Sequence, residues 1–405
     1  MAGESRLRTL VLYAQYTDRL SYYDDWLAAF EAAPCFDVAM LNICAPGVRG
    51  RVSRGLAECD LVVLLHSTNG DTTIYLEPLL PLFAERRATV LTFVGNEVNL
   101  PGSPIAAKRA AFMAMRPDFI ATQLPLEAGE YLFGDCVLRR VIAVPHALNP
   151  DVYRPEVPHA ARRLDIGVRA VRYLPHLGDD DRNRIHAYFS THAARLGLAV
   201  EISDTRLDRA GWARFLNDTR GTVSTEAGSW YLERDDATVN AIRAHTAAQH
   251  RGSGLVIAND SPLRRLGHRL PYGVRAFLRA AMSRGPVRHE SAVNEALAHD
   301  EIHDRFFRDR PRAPVYGKCI SSRHFDAIGT KTCQIMFEGR FNGILTAGEH
   351  YIPLAPDFSD AEEAVATFRD DVQRQRIVDA AHAHVMDRHT YARRMQDLHA
   401  AVAGG

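Results

Sequence analysis

The chain has 405 residues, 46% hydrophobic and 24% charged, so it is an ordinary globular protein long enough for two or three domains. Lys plus Arg and Asp plus Glu each number 49, giving a net charge of zero, which removes the broad attraction that non-specific nucleic-acid binding requires. No apolar run reaches the roughly 20 residues that span a bilayer. The first elements in chain order are an apolar strand over residues 8–14, an amphipathic helix over 22–33, a strand over 36–41, a helix over 51–57 and a strand over 60–65. A helix over 76–86 follows, then strands at 89–94, 119–122 and 141–144. Such alternation predicts a parallel sheet covered on both faces.

The proline-rich stretch 144–155 marks a linker. A second series then begins, with a strand at 164–171, a helix over 181–196, and strands at 198–202 and 221–224. Residues 231–312 break the pattern, with turn signals at Asp260 and Arg284, and read as an inserted helical subdomain. The strand–helix order resumes at Val315, and a helical tail starts near Asp360. The expected fold is thus α/β, with two Rossmann-like domains: residues 1–155, completed by a helix over 385–405, and residues 163–384. Six cysteines without a CxxC pair, together with a short polar leader running directly into a strand, point to buried thiols and a cytoplasmic location.

Open parallel sheets bind ligands outside the carboxyl ends of their strands. His66 and the pair Asn96 and Glu97 each close an apolar strand of the first half, although exposure alone makes such loops polar. In the second half the equivalent loops are 169–172, 225–229 and 339–343. Residues 320–354 add Asp326, followed by a Gly-Thr-Lys-Thr turn and an apolar strand at 333–337. An acid at a helix start can accept two ribose hydroxyls, and Ser322, Arg323, Thr330, Lys331, Thr332 and nearby backbone N–H groups are expected to hold the rest of a nucleotide sugar. A capped helix–turn–strand unit with no ligand explains the same spacing.

Three segments carry a resemblance: VPHALNPDVYRP at 144–155, SSRHFDAIGTKTCQIM at 321–336, and RHTYARR at 388–394. They are similar to elements of the glycosyltransferases of GT-B fold, in particular the CgeB-like group related to retaining family 4. The resemblance implies two facing Rossmann-like domains and transfer of a sugar from a nucleotide sugar to a hydroxyl acceptor, whether glycan, lipid-linked glycan or small natural product. It further implies a retaining outcome, no metal and no other cofactor. A lipid-linked acceptor leaves peripheral membrane contact open; no nucleic-acid partner is expected.

In that family two acids spaced E-x7-E face the sugar and the ribose. Asp326 matches the second, one methylene shorter, while Lys318 stands where the first would be. Glu226, in the strand-end loop 222–229, is the substitute sugar-side acid if the insert splits the motif; an ordinary loop residue is the competing reading. Gly228 shares that loop. Arg169 and Arg172 join Lys331 as diphosphate ligands, and His66 is the candidate base toward the acceptor, with Asn96 and Glu97 binding acceptor hydroxyls. Asp179, Asp180 and Asp181 open a helix and read as an N-cap, not a metal site. A GT-B epimerase and a degenerate, non-catalytic binding protein are the alternatives.

Overall fold

The computed structural model describes residues 6–16, 21–249, 256–257 and 288–404. The first sheet contains β1 (Leu7–Tyr13), β2 (Phe36–Asn42), β3 (Leu61–Leu64), β4 (Thr89–Phe93), β5 (Phe119–Thr122) and β6 (Arg140–Ala143). Its order is β2-β1-β3-β4-β5-β6, and every pair is parallel. All four residues of β3 are buried because apolar helices cover both faces. Strand pleating divides them: Val62 and Leu64 join one core, with Leu56 of α2 (Val48–Glu58), Phe112 of α3 (Ile105–Met115) and Leu132 of α4 (Leu126–Phe133). Leu61 and Val63 join the other, with Trp26 and Phe30 of α1 (Ser21–Ala32).

The expected helix over 76–86 is a 3₁₀ segment, Glu77–Glu85, since Pro78 and Pro81 lack the N–H groups an α-helical ladder needs. Helices α3 and α4 have no counterpart in the sequence reading.

The second sheet contains β7 (Leu164–Arg169), β8 (Val200–Ser203) and β9 (Thr219–Ser224), served by α5 (Asp181–His192) and α6 (Arg209–Asn217). After β9 the chain leaves the lobe through β10 (Ala227–Gly228). The insert contains α7 (Ala237–Gln249), a parallel pair β11 (Val256–Ile257) and β12 (Arg288–His289), α8 (Glu290–Glu295) and α9 (His299–Phe306). It returns through β13 (Lys318–Cys319), antiparallel to β10, so the two short strands form a stem. Gly228 has φ +106°, and a β-carbon there would lie 2.2 Å from the Gly317 carbonyl, so the stem requires glycine. The turns anticipated at Asp260 and Arg284 lie outside the described residues.

The lobe continues with α10 (Ser322–Gly329), β14 (Cys333–Phe337), β15 (Ile352–Leu354), α11 (Ala361–Arg369) and α12 (Asp371–Arg388). The order is β15-β14-β9-β7-β8, again parallel. The chain then crosses back. Leu148 N–H donates to His389 O at 2.9 Å, and Tyr391 N–H to Leu148 O at 3.0 Å. Finally α13 (Tyr391–Ala403) places Tyr391, Met395, Leu398 and Val402 against Trp26 and Phe30 of the first lobe. Two Rossmann-like lobes joined by a double crossing form the GT-B arrangement.

The lobes touch at several points. Arg209 of α6 pairs with Asp25 of α1, whose Oδ1 also accepts Asn149 Nδ2 at 2.7 Å. Asn342 donates to Gln123 O at 3.1 Å, and Leu232 and Cys319 join the first lobe's core.

Candidate functional site

The carboxyl ends of β7 and β9 and the amino ends of α5 and α10 converge on one open pocket of the second lobe. The walls that matter chemically are Arg169, Arg182, Trp212, Ser321, Arg323 and His324. Strand ends and helix starts meet there because each parallel strand feeds its next helix at the same edge of the sheet.

Arg182 and Arg323 are the second residues of their helices. Arg182 lies 3.9 Å over the Tyr173 ring. Arg323 reaches solvent from a concave wall, and its pKa falls to about 10, through enclosure first and the charge of Arg182 second. Among the described residues neither guanidinium forms a salt bridge. Two unneutralised cations beside two helix amino ends form a site for an anion. Arg169 differs: it pairs with Glu201 and stacks 4.1 Å over Phe215.

His324 closes the first turn of its own helix, with Nδ1 accepting the Ser321 N–H at 2.9 Å. An imidazole fills the place that Glu or Gln takes in a capping box. That bond leaves the ring proton on Nε2, and burial holds the pKa near 3, so the side chain is neutral at physiological pH.

Several residues anticipated at the site stand elsewhere. Thr330, Lys331 and Thr332 follow the carboxyl end of α10, roughly 12 Å of helix from its amino end. Thr330 and Thr332 are buried and hydrogen-bonded to each other at 2.9 Å, and Lys331 pairs with Asp379 at 2.7 Å. This turn cannot serve as the phosphate cradle, because α10 starts at the pocket and runs away from it. Arg172 is exposed beyond the end of β7 and does not line the pocket; nor does Ser322, although it opens α10.

Asp326 is 7% exposed and absent from the pocket wall. Its Oδ2 accepts the Trp212 indole N–H at 2.9 Å, and burial raises its pKa well above the carboxylate range. Glu226 follows β9, but its oxygens take the Phe341 N–H at 2.7 Å and the Tyr316 hydroxyl. It pins the loop after β14, and burial raises its pKa too. Lys318 donates to Asp179 and Asp181, each at 2.6 Å, so the acid run that opens α5 binds a buried ammonium.

Of the first-lobe candidates, His66 and Glu97 are buried and Asn96 is half-buried. His66 is fully enclosed against Trp26, Phe93 and His146, and burial drives its pKa well below 6.5. A neutral, enclosed ring cannot reach an acceptor hydroxyl. Asn96 donates to Asp71 at 2.8 Å. Glu97 accepts the Gln123 N–H at 2.6 Å and the Thr122 hydroxyl, joining the loops after β4 and β5.

Arg182, Trp212 and His324 were missed in the sequence. Arg182 was legible as the first-turn cation of a helix that follows a strand end; Trp212 lies on a helix that the sequence reading did not place. Among the described residues no group of three His, Cys, Asp or Glu is placed to hold a metal, and no helix is long and apolar enough to cross a membrane.

Residues 262–400 match the family profile described as Glycosyl transferase-like. The match takes in Arg323, His324 and Asp326 but not Arg182 or Trp212. No curated protein matches the chain. Similar solved structures include Anabaena Alr3699/HepE in complex with UDP and glucose, with TM-score 0.48 and 9% identity over 99% of this chain and 100% of that one. Another is sucrose-phosphate synthase (tll1590) from Thermosynechococcus elongatus, with TM-score 0.46 and 11% identity over 98% and 99%. The catalytic domain of Arabidopsis thaliana starch synthase IV bound to ADP and acarbose gives TM-score 0.42 and 11% identity over 99% and 100%.

Proposed function

We propose that the protein is a glycosyltransferase whose second lobe holds the diphosphate of a nucleotide sugar on Arg182 and Arg323 and passes the sugar to a hydroxyl acceptor. One observation carries this reading: two guanidiniums without carboxylate partners face one pocket at the amino ends of two helices. Breaking the bond from sugar to phosphate puts negative charge on the departing diphosphate and positive charge on the anomeric carbon. The guanidiniums and the α5 and α10 dipoles supply the first stabilisation without requiring a metal. Retention of configuration is part of the proposal. The acceptor approaches from the first lobe, and none of His66, Asn96 and Glu97 is assigned as its base.

A second reading, a binding protein without transfer, is favoured by Lys318 at the position where the resemblance puts a sugar-side acid. One experiment separates them: incubation with each common nucleotide sugar, following thermal shift and release of nucleoside diphosphate. Transfer predicts a donor that stabilises the fold and releases diphosphate when acceptors are added. Stabilisation without release favours the binding protein; no stabilisation by any donor rejects both.

A further inference from the structure

The stem that carries the insert also lies along the seam between the lobes, where Ala227, Ala313 and Val315 pack against the first lobe's core. Trp230 follows β10 and Tyr316 precedes β13, and their rings meet edge to face at 5.2 Å and 88°. Each ring carries a guanidinium. Arg312 lies 4.5 Å over Trp230, and Arg340, from the loop after β14, lies 4.3 Å over Tyr316. Both arginines are exposed, and a guanidinium resting flat on a ring keeps its in-plane N–H donors for another partner. Among the described residues Arg312 has no carboxylate partner, and Arg340 has the exposed Glu127 of α4 at 3.6 Å. Lys318, 4.7 Å from the Trp230 ring, is already neutralised by Asp179 and Asp181.

The backbone that presents Arg340 is held in an unfavourable form. Phe341, Asn342 and Gly343 have φ of +43°, +54° and +72°, a left-handed run that suits glycine alone. Such strain persists where the surroundings over-determine it, as they do at ligand clamps. Glu226 accepts both the Phe341 N–H and the Tyr316 hydroxyl, and that hydroxyl in turn accepts the Arg340 N–H at 3.3 Å. Asn342 accepts the Ile320 N–H at 2.8 Å and donates to Gln123 O of the first lobe at 3.1 Å. Ring, loop and seam are thereby fixed together, with two cations on adjoining rings where the loops after β5 and β14 meet.

Building on the nucleotide-sugar reading, we propose that Arg312 and Arg340 clamp an anionic group of the acceptor, a phosphate or a carboxylate, and that Glu226 is a positioning residue for this clamp. The acceptor is therefore a charged hydroxyl compound, not a neutral one. The clamp takes no part in the bond changes. Transfer joins the acceptor oxygen to the anomeric carbon, breaks that carbon's bond to the phosphate oxygen, and passes the hydroxyl proton to the departing diphosphate.

The test measures release of nucleoside diphosphate from the donor that binds best, with acceptors offered in matched neutral and charged forms. These are glucose, glucose 6-phosphate and glucuronate, the same three forms of mannose, and glycerol, glycerol 3-phosphate and glycerate. At least one charged acceptor should have a KM tenfold or more below that of its neutral counterpart, and the phosphate and carboxylate arms show which anion the clamp takes. Arg312→Ala/Arg340→Ala should cut that preference below about threefold through KM, while calorimetry shows nucleoside diphosphate affinity within about threefold of wild type. Arg340→Lys, which keeps the charge, should restore part of the preference lost in Arg340→Ala. Neutral acceptors used as well as charged ones, a charge preference that survives the double variant, or a bound donor with no acceptor in the panel would each overturn the clamp and leave the donor site standing. Failure of every nucleotide sugar to bind would reject the clamp together with the reading beneath it.

Discussion

Asp236 belongs to the insert of the second lobe, yet it caps a helix of the first: its Oδ2 accepts the Ala106 N–H at 2.8 Å. Helix α3 has Pro104 at its N-cap and no side-chain cap of its own. The other carboxylate oxygen accepts Asn99 Nδ2 at 2.6 Å, while Asn99 receives the Glu233 N–H at 2.9 Å. The insert is therefore tied to the loop after β4.

Asp236→Ala should cost about 1–2 kcal/mol, the usual cost of losing an N-cap together with a buried partner. Hydrogen exchange would read it directly. The first turn of α3 should lose protection while β3 keeps its own, and unchanged protection at Ala106 would show that the cap contributes nothing.

Lys318→Ala leaves the buried Asp179 carboxylate facing Asp181 with no cation between them. Removing one partner of a buried pair destabilises by on the order of 3 kcal/mol. Chemical denaturation should show that loss, and adding Asp179→Asn should recover part of it. A single variant as stable as wild type would mean that the acids simply protonate.

The general plan was legible because apolar runs of four to seven residues alternate with helical patterns, and Asp60–Leu65 and Thr89–Val94 admit only buried strands. The site was less legible. Sequence spacing placed Asp326 and the Gly-Thr-Lys-Thr turn together, but their helix separates its two ends by its own length. His66 closes an apolar strand as expected, and then a 3₁₀ turn, His66–Thr68, buries its ring beside Trp26. The direction in which a strand-end side chain points is set by tertiary packing, which one sequence does not expose. The two pocket cations without a salt bridge among the described residues come from α5 and α10, 141 positions apart (323 − 182), and only the fold brings them together.

Glu97 and Lys108 give a pH signature. Burial raises Glu97 from 4.5 to about 7 and lowers Lys108 from 10.5 to about 7. The raised acid contributes stability that is complete below pH 4.5 and lost as pH rises through 7; the depressed lysine contributes stability present above pH 10.5 and lost as pH falls through 7. Glu97→Gln removes the first component. Its stability relative to wild type should rise between pH 4 and pH 8, by up to about 3 kcal/mol. Denaturation curves that shift in parallel at both pH values would contradict the assignment.

Lys331→Ala removes a half-exposed pair with Asp379 at the far end of α10. Stability should change by about 0.5 kcal/mol at most, and nucleotide affinity should not change. A large loss of affinity in this variant would return the phosphate to the Gly-Thr-Lys-Thr turn.

The account depends most on where the diphosphate sits. Titration calorimetry of a nucleoside diphosphate against wild type, Arg182→Ala and Arg323→Ala tests that placement directly. Each variant should bind at least about tenfold more weakly, with a smaller dependence of affinity on salt, because each removes one guanidinium from the anion site. Wild-type affinity in both variants would show that the pocket at the amino ends of α5 and α10 is not the donor site.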